Sequence, residues 1–153
     1  MWQMGIQDDI QASGFRSEFH RAMVNLYYTY KWYDQFLGEL FGAHQLLPQH
    51  FNVLMILKGR APTPATPKEI KAVMLDHGRD LTRLIDKLVK MGYVKRHLNP
   101  DNRRQMLISL TEEGRKVVEA LNETFMDKLA DLNQLSDSEA MQLSALLDKV
   151  RQG

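Results

Sequence analysis

Residues 66–110 are interrupted so regularly that no long element fits there, and this limits the fold more than any other feature. Thr66-Pro67-Lys68-Glu69 combines a capping threonine, a proline at the first helical position and a glutamate three residues after the cap. A helix therefore starts there, and it is short, about residues 67–74. Leu75-Asp76-His77-Gly78 reads as a turn. A second helix is predicted over residues 79–91, with Leu81, Leu84, Ile85, Leu88 and Met91 on one face. Gly92 ends it. Residues 93–98 and 105–110 read as two strands around the turn Asn99-Pro100-Asp101-Asn102, with Arg103-Arg104 following the turn.

Longer helices flank this centre. Apolar residues recur every three or four positions over residues 15–41, including Phe15, Phe19, Leu26, Tyr33 and Leu37, with Gly42 near the end. Pro48 opens a mostly buried helix ending near Gly59, and the prolines at 62 and 64 exclude regular structure after it. Thr111 caps a helix running to about Leu132, with Gly114 as a tolerated weak spot in its first turn. Ser136 and Glu139 form a capping box for the last helix, striped with Met141, Leu143, Leu146, Leu147 and Val150. Residues 1–14 are polar with little periodicity and read as an arm or a short partner-bound segment. At 153 residues this is one domain, mainly α with a small β-hairpin.

The charge is uneven. The total is +1, but residues 58–104 hold 12 Lys/Arg against 5 Asp/Glu, a net +7, and the remainder holds 8 against 14, a net −6. A short helix, a sharp turn and a basic amphipathic helix make a helix-turn-helix, whose second helix fits a DNA major groove. That helix offers Arg79, Thr82, Arg83 and Lys87 for base edges or phosphates, and Lys68 and Lys71 precede it. The hairpin adds Lys95, Arg96, Arg103 and Arg104, as a wing entering a minor groove would. The partner expected from these residues is double-stranded DNA. A helical protein-interaction module using the same surface without specific DNA binding is the alternative, and salt-dependent DNA binding separates the two.

Thr82-Arg83-Leu84-Ile85-Asp86-Lys87-Leu88 and Met91-Gly92-Tyr93-Val94-Lys95-Arg96 resemble the recognition-helix and first-strand signature of MarR-type regulators. The run from Asn102-Arg103-Arg104-Gln105 to Thr111-Glu112-Glu113-Gly114 resembles their wing-to-helix signature. The resemblance implies a winged helix-turn-helix lobe over about residues 48–110, inside a single MarR-like domain spanning 1–153. It implies dimerisation helices at about 1–42 and 111–153, and a homodimer on a pseudopalindromic operator. Repression, relieved by a small aromatic or phenolic effector, is the expected activity. Asn102 stands where the family usually has an acidic residue, with Asp101 one position earlier. Arg104 matches the more constant of the two basic positions.

Two-fold symmetry independently favours a dimer, since two half-sites need two recognition helices. Phe15, Phe19, Val118, Leu121, Phe125, Leu143 and Leu147 are the expected interface residues. Tyr28, Trp32, Tyr33 and Phe36, closed by Phe51 and Met55, are the expected effector pocket, although aromatics at helical spacing also serve as core or interface. With no cysteine, disulfides, thiolate metal sites and thiol redox sensing are excluded. His20, His44 and His50 lack zinc spacing, so neither metal nor cofactor is expected. Without a phosphate loop, a His-Glu-x-x-His motif or a nucleophile elbow, the chain does not read as an enzyme. No apolar run is long enough for a bilayer, and the N-terminal 14 residues lack the basic and apolar parts of a signal peptide. The expected location is the cytoplasm.

Overall fold

A computed structural model describes residues 5–152. The elements are α1 (Ile6–Asp9), α2 (Glu18–Gly42), α3 (Pro48–Arg60), α4 (Pro67–Val73) and α5 (Leu81–Lys90). A hairpin of β1 (Val94–Asn99) and β2 (Asn102–Leu110) follows, then α6 (Glu112–Leu132) and α7 (Asp137–Arg151). This is a winged helix-turn-helix with additional helices. The chain forms two compact units, one running to Arg115 and the other starting at Lys116.

The core of the first unit is built from α3, α4, α5 and the hairpin. Leu54, Leu88 and Ile108 have no exposed surface, and Val53, Leu57, Ile70, Leu84, Ile85 and Val94 are also buried. Phe41, at the end of α2, stacks on Phe51 with centroids 4.4 Å apart. The hairpin is antiparallel, pairing Val94 with Leu110, Arg96 with Ile108 and Leu98 with Met106, and the register shifts at Asn99. Ala65 adds a third strand of a single residue, bridged to Ile108. Its N–H donates to the Ile108 carbonyl at 2.9 Å, and Ile108 N–H returns the bond at 2.8 Å.

Several local expectations need correction. The helix expected from Phe15 starts at Glu18, because the Ser17 hydroxyl accepts from His20 N–H at 3.0 Å and ends the preceding extended backbone. The helix expected from Arg79 starts at Leu81. The Asp80 carboxylate accepts from Thr82 N–H at 3.0 Å and Arg83 N–H at 3.4 Å, which leaves Arg79 outside the helix. The second strand begins at Asn102, three residues early, so Arg103 and Arg104 lie within the strand rather than before it, at the register shift between the Asn99–Asn102 and Leu98–Met106 pairs. Asn99 and Asn102 side chains accept from Asp101 and Arg104 N–H and confine the turn to two residues. The N-terminal arm contains a helical turn, α1, with Ile6 buried.

Gly114 is not merely tolerated. A Cβ there would lie 1.8 Å from the Tyr93 carbonyl oxygen and 2.7 Å from its carbon. The start of α6 crosses the start of β1 at a distance that only glycine permits.

In the second unit, Ser136 and Glu139 form the expected capping box, with Glu139 Oε2 accepting from Ser136 N–H at 2.8 Å. None of the described residues of α7 is buried. Val118 and Leu121 are buried inside the single chain.

Candidate nucleic-acid interface

The recognition helix α5 has a clean division of faces. Leu81, Leu84, Ile85 and Leu88 are buried, while Thr82, Arg83, Asp86, Lys87 and Lys90 are exposed. The Asp80 cap fixes where this helix begins, and so fixes which way Thr82 and Arg83 face. Arg83 is paired with Asp80 at 3.5 Å, but its side chain is 88% exposed. So exposed a pair contributes little and is readily exchanged for a base or phosphate. Between α4 and the start of α5 lies an open hollow of about 610 Å³, lined in part by Lys68, Lys71, Arg79 and Thr82. Three cations around one concave surface suit a phosphate backbone.

The hairpin's basic residues fall into two groups. Strand residues alternate faces, so Arg96 shares the inner face with Val94 and the cross-strand Ile108. Its guanidinium is ion-paired with Asp86 on α5. Lys95 and Arg96 therefore do not act as one outward cluster, and Arg96 ties the wing to the recognition helix. Lys95, Arg103 and Arg104 are exposed. Among the described residues no ion pair joins Asp101 to Arg104; Asp101 instead closes the turn through its backbone N–H.

Lys87 also has a structural partner. Its ammonium donates to the carbonyl of Gln45, in the bend between α2 and α3. It sits near His50, whose Nδ1 accepts from Leu47 N–H at 2.8 Å. Burial, and then the Lys87 charge, lowers the pKa of His50 to about 4, so this histidine is neutral at ordinary pH. The turn ahead of α5 is held as well. Gln49 Nε2 donates to Asp76 Oδ2 at 2.8 Å, Asn52 Oδ1 accepts from Leu75 N–H at 3.0 Å, and Asp76 Oδ1 accepts from Gly78 N–H at 2.9 Å. The bonds to Asp76, that from Gln49 first, hold its carboxyl below the usual range.

The residues of the expected aromatic pocket differ in burial. Phe51 is buried and stacks on Phe41. Tyr33 stacks on Phe36 with centroids 6.0 Å apart, and partial burial raises the Tyr33 pKa. Tyr28 and Trp32 stand exposed, and Met55 is half-buried. Of the expected interface residues, Val118 and Leu121 are buried within the lone chain. Phe19 and Leu143 are exposed, and Phe15, Phe125 and Leu147 are half-buried. Residues 1–4 and 153 of the expected dimerisation ranges lie outside the described residues. Among the described residues no group of three or more His, Asp or Glu is placed to hold a metal. No helix among them is long and apolar enough to cross a membrane.

A MarR-family model matches residues 44–105. The MarR multiple antibiotic resistance protein of Escherichia coli K12 is 31% identical over 119 residues, covering 76% of this chain and 81% of that protein. The chain belongs to the MarR family. Another relative, the HTH-type transcriptional regulator PecS of Dickeya dadantii, is 29% identical over 119 residues, 76% of this chain and 72% of its own. A mutant of E. coli MarR, crystallised with operator DNA, superposes with a TM-score of 0.75 at 30% identity. The match covers 90% of this chain and 99% of that one. PecS is by name a transcriptional regulator.

Proposed function

We propose that this chain is a sequence-specific, double-stranded DNA-binding transcriptional repressor that works as a homodimer. The observation that carries the reading is the shared surface of α5, the cationic hollow and the wing. Thr82 and Arg83 face outward for base edges, Lys68, Lys71 and Arg79 surround a concave phosphate-sized surface, and Arg103 and Arg104 stand at the hairpin tip. The roles follow from position. Arg83 and Thr82 read bases, Lys68, Lys71, Arg79 and Lys95 meet phosphates, and Arg104 with Arg103 enters the minor groove. Arg96 and Lys87 act indirectly, by holding the wing and the recognition helix in place.

Dimerisation is supported by apolar surface that one protomer leaves open. Met141 is 73% exposed, Leu146 61% and Phe19 64%, and α7 has no buried residue. Helices striped in this way bury their apolar face against a partner. Repression is the simplest consequence of a dimer occupying its operator. Release by a small aromatic or phenolic ligand rests on the exposed Tyr28 and Trp32.

The test is selection of bound duplexes from a random pool, followed by a salt titration of the selected duplex. With roughly 6–10 phosphate contacts, affinity should fall about 10³–10⁵-fold between 50 and 200 mM salt. A pool that enriches no sequence, or a flat titration, overturns the reading and leaves the interaction-module alternative.

A further inference from the structure

The recognition helix is gripped from both ends by a single stretch of eight residues, 45–52, that lies outside the DNA-facing surface. Ahead of α5, Gln49 and Asn52, on the first turns of α3, hold Asp76 and the Leu75 N–H. Asp76 in turn holds Gly78 N–H, so the turn leading to Arg79 and the Asp80 cap is set by two amide side chains on another helix. Within the last turns of α5, Lys87 reaches back to the Gln45 carbonyl. Gln45 has a positive φ of 59° and lies just beyond α2. Thus both grips converge on the corner between α2 and α3.

The chemistry of Gln49 is unusual for a residue that serves stability. Its Oε1 is buried without a hydrogen-bond partner, while Nε2 makes the bond to Asp76. A buried amide with an orphan oxygen costs stability that an apolar side chain of similar size would not. Asp76 is half-buried and also accepts from Gly78 N–H, so its charge has a second partner besides Gln49. What the bond provides is a fixed position for the turn.

We propose that the Gln49/Asn52 clamp on the 75–78 turn sets how α5 is presented to base edges, making Gln49 and Asn52 specificity-positioning residues that touch no DNA. The inference rests on the reading of α5 as the helix that reads bases. Small displacements of that helix misalign bidentate contacts, which demand tight geometry, while leaving long, flexible lysines on their phosphates. Loss of the clamp should therefore damage discrimination more than overall affinity.

The test uses the full-length protein, the duplex selected from the random pool and a random-sequence duplex, at one salt concentration. Gln49→Met conserves volume and removes the orphan oxygen. It should melt no lower than wild type, yet lose roughly tenfold in the ratio of selected to random affinity, the scale of one misaligned bidentate base contact. Gln49→Glu, which sets two carboxylates against each other, should lose the ratio as well. Combining Gln49→Glu with Asp76→Asn swaps the pair. The new amide nitrogen then faces the new carboxylate, and the amide oxygen remains to accept from Gly78 N–H. This double variant should return the ratio to near the wild-type value. An unchanged ratio in Gln49→Met, or a swap that recovers nothing, overturns the clamp while wild-type selection stands. If wild type itself discriminates no sequence, the DNA-reading proposal fails and this one with it. Should Gln49→Glu not fold, Gln49→Met and Asn52→Ala decide the question alone.

Discussion

Gly114→Ala sets two known effects against each other. In an exposed helix the change would stabilise by about 1 kcal/mol through helix propensity. Here the new Cβ would meet the Tyr93 oxygen at 1.8 Å, against about 3.3 Å for an ordinary carbon–oxygen contact. All three nearest atoms belong to the Tyr93 backbone, so no side chain can rotate away. The strand start must move by about 1.5 Å relative to α6. Yet that backbone is tied on every side. Tyr93 carbonyl accepts from Thr111 N–H at 3.0 Å, Tyr93 N–H donates to the Leu88 carbonyl at 2.9 Å, and Thr111 hydroxyl donates to Gly92 carbonyl at 2.6 Å. Overpacking costs roughly 1–3 kcal/mol, and each bond lost adds about 1 kcal/mol. The net expectation is a destabilisation of about 1–4 kcal/mol after subtracting the propensity gain. Urea unfolding at fixed protein concentration reads it directly. In thermal unfolding the shift is about 2–4 °C per kcal/mol for a chain of this size. A variant as stable as wild type, or more stable, refutes the close-approach argument and returns Gly114 to an ordinary helical site.

Three further outcomes are expected. Arg83→Ala should relax base preference at one position per half-site at a cost of about 1–3 kcal/mol, whereas Lys71→Ala should weaken selected and random duplexes alike and reduce the salt slope; the affinity ratio of each variant decides. Leu143→Asp should give a folded monomer by sedimentation, because Leu143 is exposed in the protomer, whereas Leu121→Asp should unfold the chain, because it buries an unpaired carboxylate. Stability should fall as pH drops from about 6.5 towards 4, since the unfolded chain protonates His50 before the folded one does. It should fall again below the usual carboxylate range, as Glu69 and Glu139, held low by their capping bonds to Thr66 and Ser136, are protonated. Melting against pH checks both limbs, and His50→Asn should flatten the upper one.

Features governed by local chemistry were readable from the sequence. The Thr66/Glu69 and Ser136/Glu139 caps, the apolar face from Leu81 to Leu88 and the hairpin all announce themselves within a few residues of chain. What escaped depends on distance or on facing. Asp80 outcompetes Arg79 for the helix start because its short carboxylate reaches two amides at once. Arg96 looks like part of a basic cluster until the pleat turns it inward to Asp86. The bonds from Gln49 to Asp76 and from Lys87 to Gln45 join residues 27 and 42 positions apart, with no periodic signal. Val118 and Leu143 both occupy apolar helical positions, and only tertiary packing makes one interior and the other surface. The close approach at Gly114 likewise exists only once β1 and α6 have met.

The single rung between Ala65 and Ile108 divides the hairpin into two dynamic regimes. At its base, Ile108 faces Arg96 across the ladder and exchanges both backbone bonds with Ala65 on its other edge, so its amide is held within a three-strand arrangement. Toward the tip only two strands remain, and an isolated two-stranded ribbon is marginal in water. Amide exchange at Ala65 and Ile108 should therefore require global unfolding, while amides at residues 97–105 exchange by local opening. The wing behaves as a fingertip on a fixed knuckle: Arg103 and Arg104 are free to adjust to groove width, while the backbone that orients the recognition helix stays still.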